Sequence, residues 1–113
     1  MTETIPELRR QAAELVYDGK HHDAALIYER ILKKASAPDG EIALRLGSLR
    51  RRLRDLVGAL ASFELAAQLF SLRGRVDQAA AAELIAADLT REIGRQAPAR
   101  GRCAMVPLAR RGP

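Results

Sequence analysis

His21 and His22 are the two histidines of this 113-residue chain, and they stand side by side. Imidazole nitrogens bind metals and move protons near neutral pH. Adjacent side chains at a helix start point apart, however, and no cysteine lies near. The nearest acid, Asp23, suits a helix cap. The pair reads as an exposed turn. Asp18 and Asp23 flank the same turn without the ligand spacing of a calcium loop. Cys103 is the single cysteine. It lacks a histidine partner, so it reads as a thiol open to crosslinking and not as a nucleophile. One cysteine also excludes an internal disulfide scaffold and a cysteine-rich zinc site. There is no glycine-rich phosphate loop, no triad, no paired-carboxylate motif and no basic–aromatic interleaving. The expectation is a non-catalytic protein with no cofactor and no metal.

The arginines are the remaining source of chemistry. The run Leu49-Arg50-Arg51-Arg52-Leu53-Arg54 follows Arg45 by one helical turn. A guanidinium is a flat five-donor fork that matches a carboxylate. Arg45, Arg52 and Arg51 could therefore clamp an acidic partner. In the other reading, four arginines near a helix C-terminus offset the macrodipole and pair with acids such as Asp55 and Glu41.

Charge is distributed unevenly. The formal net charge is +5. Residues 1–38 balance six acids with six bases, and residues 39–94 balance eight with eight. The whole excess sits in residues 95–113, in Arg95, Arg100, Arg102, Arg110 and Arg111. A basic composition is therefore weak grounds for a nucleic-acid-binding fold. The tail is rich in Pro, Gly and Arg and has no periodic apolar pattern, which predicts disorder. It could instead touch nucleic acid or an anionic surface, or dock through Met105, Val106 and Leu108.

Hydrophobic residues form 48% of the chain and aromatics only 4%, so the core must be aliphatic. No apolar run approaches the roughly 18 residues of a membrane span. The N-terminus has no apolar signal region. With one cysteine, the expected location is the cytoplasm. Sixteen arginines against three lysines, with abundant alanine, suggest a bacterial source.

Ala, Leu, Arg and Glu dominate residues 5–94, and they favour helix. Five helices are predicted. The first spans about 5–18, opened by a Thr4/Glu7 capping box and closed by Gly19. The second spans about 22–35, and the third about 40–53 after the break at 37–40. The fourth spans about 56–72 behind Asp55 as N-cap. The fifth spans about 76–94, with Leu84, Ile85, Leu89 and Ile93 inward and Gly94 as its stop.

Sliding the chain by 35 residues places Ala12 on Gly47 and Ala82, Ala24 on Ala59, and Tyr28 on Phe63. Small residues fall on small and aromatic on aromatic. The second unit reads Ala43-x₂-Leu46-Gly47-x₂-Arg50, then Ala59-x₃-Phe63-x₂-Ala66. The first reads Leu8-x₂-Gln11-Ala12-x₂-Leu15, then Ala24-x₃-Tyr28-x₂-Ile31. This pattern resembles the tetratricopeptide repeat (TPR). The resemblance implies an all-α solenoid of antiparallel helix pairs: repeats at about 5–38 and 39–73, and a capping helix at about 76–94. Gln11 and Arg50 depart from the family's Leu and Tyr, and its repeat-ending Pro is displaced or missing. The competing reading is a plain five-helix bundle.

The family lines a concave groove with the first helix of each pair. Carried over, its positions are Arg9, Ala13, Val16 and Tyr17; Glu41, Leu44, Arg45, Ser48, Arg51 and Arg52; and Ala79, Glu83, Ala86 and Ala87. The partner-binding residues expected are Arg9, Val16, Tyr17, Leu44, Arg45, Ser48, Arg51 and Arg52. The implied role is a protein-interaction adaptor that takes an acidic or amphipathic protein segment. Relatives that clamp a C-terminal carboxylate use asparagines, and those positions are Ala13 and Ser48 here. One alternative is a self-assembling, dimeric or regulatory module. Binding of nucleic acid through the tail is the weaker alternative.

Overall fold

A computed structural model describes residues 3–96. Its described residues form five α-helices and no strand: α1 (Ile5–Tyr17), α2 (His21–Lys34), α3 (Gly40–Arg52), α4 (Leu56–Leu72) and α5 (Val76–Gln96). Each helix packs on the next along the chain. The expected tail lies almost wholly outside the described residues.

The helix starts follow local chemistry. Thr4 Oγ1 accepts the Glu7 N–H, and the Glu7 carboxylate accepts the Thr4 N–H at 2.9 Å. This capping box favours the ionised carboxylate and lowers the Glu7 pKa, the Thr4 backbone bond having the largest effect. Asp39 and Asp55 cap α3 and α4 by accepting the Glu41 and Gly58 N–H groups, each at 3.0 Å. Asp23 is not a cap, contrary to expectation. Lys20 holds that position without a side-chain bond, and Asp23 sits in the first turn of α2.

Three of the four connections are the same device. Residues 18–20, 53–55 and 73–75 each place their middle residue, Gly19, Arg54 or Gly74, in the left-handed region. In each, the middle N–H donates to the carbonyl three residues back, and the next N–H to the carbonyl five residues back. Lys20 to Leu15 and Asp55 to Arg50 both measure 2.8 Å, and Arg75 to Phe70 measures 2.9 Å. This is the Schellman arrangement. The α2–α3 connection is longer and contains Pro38.

The core is built in overlapping groups of three helices. Leu8 and Ala12 of α1 join Ala24, Ala25, Tyr28 and Ile31 of α2 and Ile42, Leu46 and Leu49 of α3. Further along, α3, α4 and α5 meet through Ala43, Ala66, Ala67, Phe70, Ala79 and Ala82. At the other end of α5, Ala86 and Leu89 pack with Leu56, Ala59 and Phe63. Two phenyl rings of α4 fill gaps left by glycines of α3. A Cβ on Gly47 would lie 2.9 Å from the Phe63 ring, and one on Gly40 would lie 2.9 Å from Phe70. Any side chain there must displace a ring from a close-packed interior.

α5 departs from expectation twice. It continues through Gly94 to Gln96, because Gly94 is exposed and keeps a helical backbone. Leu84 faces outward and is 69% exposed. The helix turns its Ala79–Ala82–Ala86–Leu89 stripe to α4, where small side chains can lie against the two phenylalanines.

Candidate functional site: a basic groove between α1 and α3

A groove of about 590 Å³ opens between α1 and α3. Ala13 and Val16 form one wall, and Ser48, Leu49, Arg45 and Arg52 the other. Tyr28 of α2 closes the floor, and Gly19 and His21 close one end. The walls are helices held by the shared core beneath them. Positions 45, 48, 49 and 52 fall on one face of α3 by the helical period.

Of the residues expected to bind a partner, the structure brings Val16, Arg45, Ser48 and Arg52 together here. The other four stand elsewhere. Arg9 is exposed and lies 3.8 Å from Asp39, the α3 cap. Tyr17 projects into solvent at 91% exposure. Leu44 is half-buried and packs into the α3–α4–α5 core. Arg51 turns to α5, with Glu92 at 3.5 Å. The fifth-helix positions do not extend this groove either. Ala79 is buried against α4, while Glu83, Ala86 and Ala87 border a separate concavity between α4 and α5.

The arginine run divides its labour. Arg45 lies 3.6 Å from Glu41, its i−4 neighbour, and stays half exposed. Arg52 makes no ion pair among the described residues and is exposed. Arg51 and Arg54 share Glu92 of α5. Arg50 is structural. Its guanidinium donates to Glu29 of α2, to Ser62 Oγ at 2.9 Å and to the Gly58 carbonyl at 3.3 Å, tying three helices together. Asp55, expected to pair with these arginines, caps α4 instead.

The sequence reading missed Tyr28, Leu49 and His21 as groove lining. Tyr28 and Leu49 carried the signal of core residues, and they are core residues whose outer edges line the groove. His21 is half-buried at the groove end and His22 is exposed. Among the described residues, no three His, Cys, Asp or Glu side chains converge to hold a metal ion. None of the described helices is long and apolar enough to cross a membrane.

The groove combines apolar walls with two cations, Arg45 and Arg52, at its edge. Compared with models of known families, with curated proteins and with solved structures, the chain matches none. The class defined by fold and site is thus an all-helical domain with a basic, apolar-walled groove.

Proposed function

We propose that this chain is a short tetratricopeptide-like module that binds an acidic, amphipathic protein segment between α1 and α3 and catalyses nothing. The observation that carries the reading is the groove itself. Arg45 and Arg52 flank the apolar surface of Ala13, Val16, Tyr28 and Leu49. An amphipathic helix would lay its apolar side chains on that surface and its carboxylates against the guanidiniums.

The repeat reading has three supports. α1 and α3 are both 13 residues long and begin 35 residues apart. Their following turns, 18–20 and 53–55, have the same hydrogen bonds. The small–aromatic pairs Ala12–Tyr28 and Gly47–Phe63 recur at the same step and are buried. The cytoplasm remains the proposed location.

Arg45→Glu with Arg52→Glu tests the groove, because both side chains are exposed and neither packs into a core. Acidic amphipathic peptides of about 15 residues serve as probes. They should shift the amide resonances of Ala13, Val16 and Ser48 in the native chain. The double variant should retain its helical circular dichroism and bind at least tenfold more weakly, since opposite charges become like charges. A folded double variant that binds equally well overturns the groove reading, as does a native chain whose groove resonances no such peptide moves.

A further inference from the structure

Among the described residues, α5 presents a second surface without a partner, on the side of the helix opposite its buried stripe. Ala79, Ala82, Ala86 and Leu89 face α4. Half a turn round the helix lie Asp77, Ala80, Ala81, Leu84, Ala87 and Arg91, with Asp88 and Arg95 on the same face, all exposed. Leu84 is the centre of this face. Asp77 stands seven residues before it and Arg91 seven residues after it. Seven residues are nearly two turns, so the acid and the base share the face and lie about 21 Å apart along the axis.

We propose that this face is a two-fold interface with a second copy of the chain, α5 against α5 in antiparallel register about Leu84. The argument is charge complementarity. A two-fold axis through Leu84 brings each residue before it opposite the residue equally far after it on the other copy. Asp77 of each chain then meets Arg91 of the other, once at each end. Leu84 meets Leu84, with Ala81 and Ala87 on the two flanks of the contact. Isologous contacts of this kind require a patch that complements itself. A parallel pairing would set Asp77 against Asp77 and Arg91 against Arg91.

The face also has room for the approach. Its alanines leave space beside Leu84 into which the other copy's Leu84 can turn, so the axes can pack within the usual range of about 8–10 Å. Leu84 is a large apolar side chain that stays 69% exposed among the described residues. Arg91 already holds Asp88 of its own helix. In the dimer it would lie between that carboxylate and the partner chain's Asp77, a charge network in place of an isolated pair. The buried stripe faces the opposite way, so the two bodies sit on opposite sides of the α5 pair and do not collide.

Sedimentation equilibrium of the full chain over a hundredfold concentration range tests the proposal. The native chain should pass from one to two copies and stop at two. Asp77→Arg and Arg91→Asp should each raise the dissociation constant at least tenfold, because each sets like charges together at both ends. Their combination should restore association, because every pair is reversed. Leu84→Glu should leave a folded monomer by circular dichroism. A native chain that remains monomeric throughout overturns the proposal. So does a dimer indifferent to Asp77→Arg, or a double variant as weak as the singles. None of these outcomes bears on peptide binding in the α1–α3 groove.

Discussion

The α2–α3 and α4–α5 junctions pass the chain from one helix to the next in different ways. Between α2 and α3 lie five residues, including Pro38, and α3 buries Ile42, Leu46 and Leu49 in the core it shares with α2. Between α4 and α5 lie three residues in the Schellman arrangement found within the α1–α2 and α3–α4 pairs. The residues 35 positions after Ile42, Leu46 and Leu49 are Asp77, Ala81 and Leu84, and all three are exposed. Ala82, 35 positions after Gly47, stays fully buried. Both of these small residues pack on α4, but α4 follows α3 and precedes α5. The same register can therefore bury the same face against the opposite neighbour. The connection decides which one, since a tight left-handed turn makes α5 the hairpin partner of α4.

Leu49 and Leu84 are the sharpest probes of this difference. They are one repeat step apart, yet Leu49 is 6% exposed and Leu84 is 69% exposed. Leu49→Ala should cost about 2–5 kcal/mol in chemical denaturation, through lost transfer energy and the cavity left in the α1–α2–α3 core. Leu84→Ala should change stability by less than about 0.5 kcal/mol at concentrations where the chain is monomeric. Equal costs would mean that α5 packs on α4 as α3 packs on α2.

A second difference is polar. Arg50 joins α2, α3 and α4, and the residue one step later is Ile85, which makes no such bridge. Arg50→Ala leaves Glu29 and Ser62 without that donor in a half-buried setting. The loss should be about 1–3 kcal/mol, the cost of stranding partly buried polar groups. Both Arg50 and Glu29 retain some solvent contact, which keeps the loss below that of a fully buried pair. Arg50→Ala and Glu29→Ala should be less than additive in a double-mutant cycle. Additivity would show the bridge to be energetically idle.

Much of this was legible from residue types. Thr4 with Glu7 and Asp55 mark two helix starts through their own capping chemistry, residues 37–40 mark a break, and the structure has all five helices, with Asp39 as a third cap. The buried face of α5 was only half legible. Leu84, Ile85, Leu89 and Ile93 span too wide an arc to face inward together, and alanine gives a weak periodic signal. Only the phenyl rings of α4 favour the alanine stripe, and that is tertiary information. Groove membership was partly legible in the same sense. The helical period places Arg45, Ser48 and Arg52 on one face, but it cannot say that Arg51 finds Glu92, 41 residues later on α5. Arg50 was hidden for a different reason, since a charged residue at a half-buried position discloses nothing about which acid receives it.

The turns allow the finest test of the α4–α5 junction. Arg54 has φ 67°, where Gly19 and Gly74 have 79° and 73°. A side chain in the left-handed region costs about 1–2 kcal/mol, which glycine avoids. Glycine returns about 0.4–1 kcal/mol of that through the freedom it gives the unfolded chain. The Arg54–Glu92 pair, at 3.8 Å and 64% exposure on the arginine side, contributes little. Arg54→Gly should therefore stabilise the chain by about 0.5 kcal/mol. Gly19→Ala and Gly74→Ala should each destabilise it by about 1 kcal/mol, the strain of the same backbone state. Neither glycine has an atom within 4 Å of the added Cβ, so the change isolates backbone strain from crowding. If Gly74→Ala were neutral while Gly19→Ala was costly, the α4–α5 turn would relax freely into another form. In that case the hairpin would not be what orients α5, and its alanine stripe alone would have to select the face that meets α4.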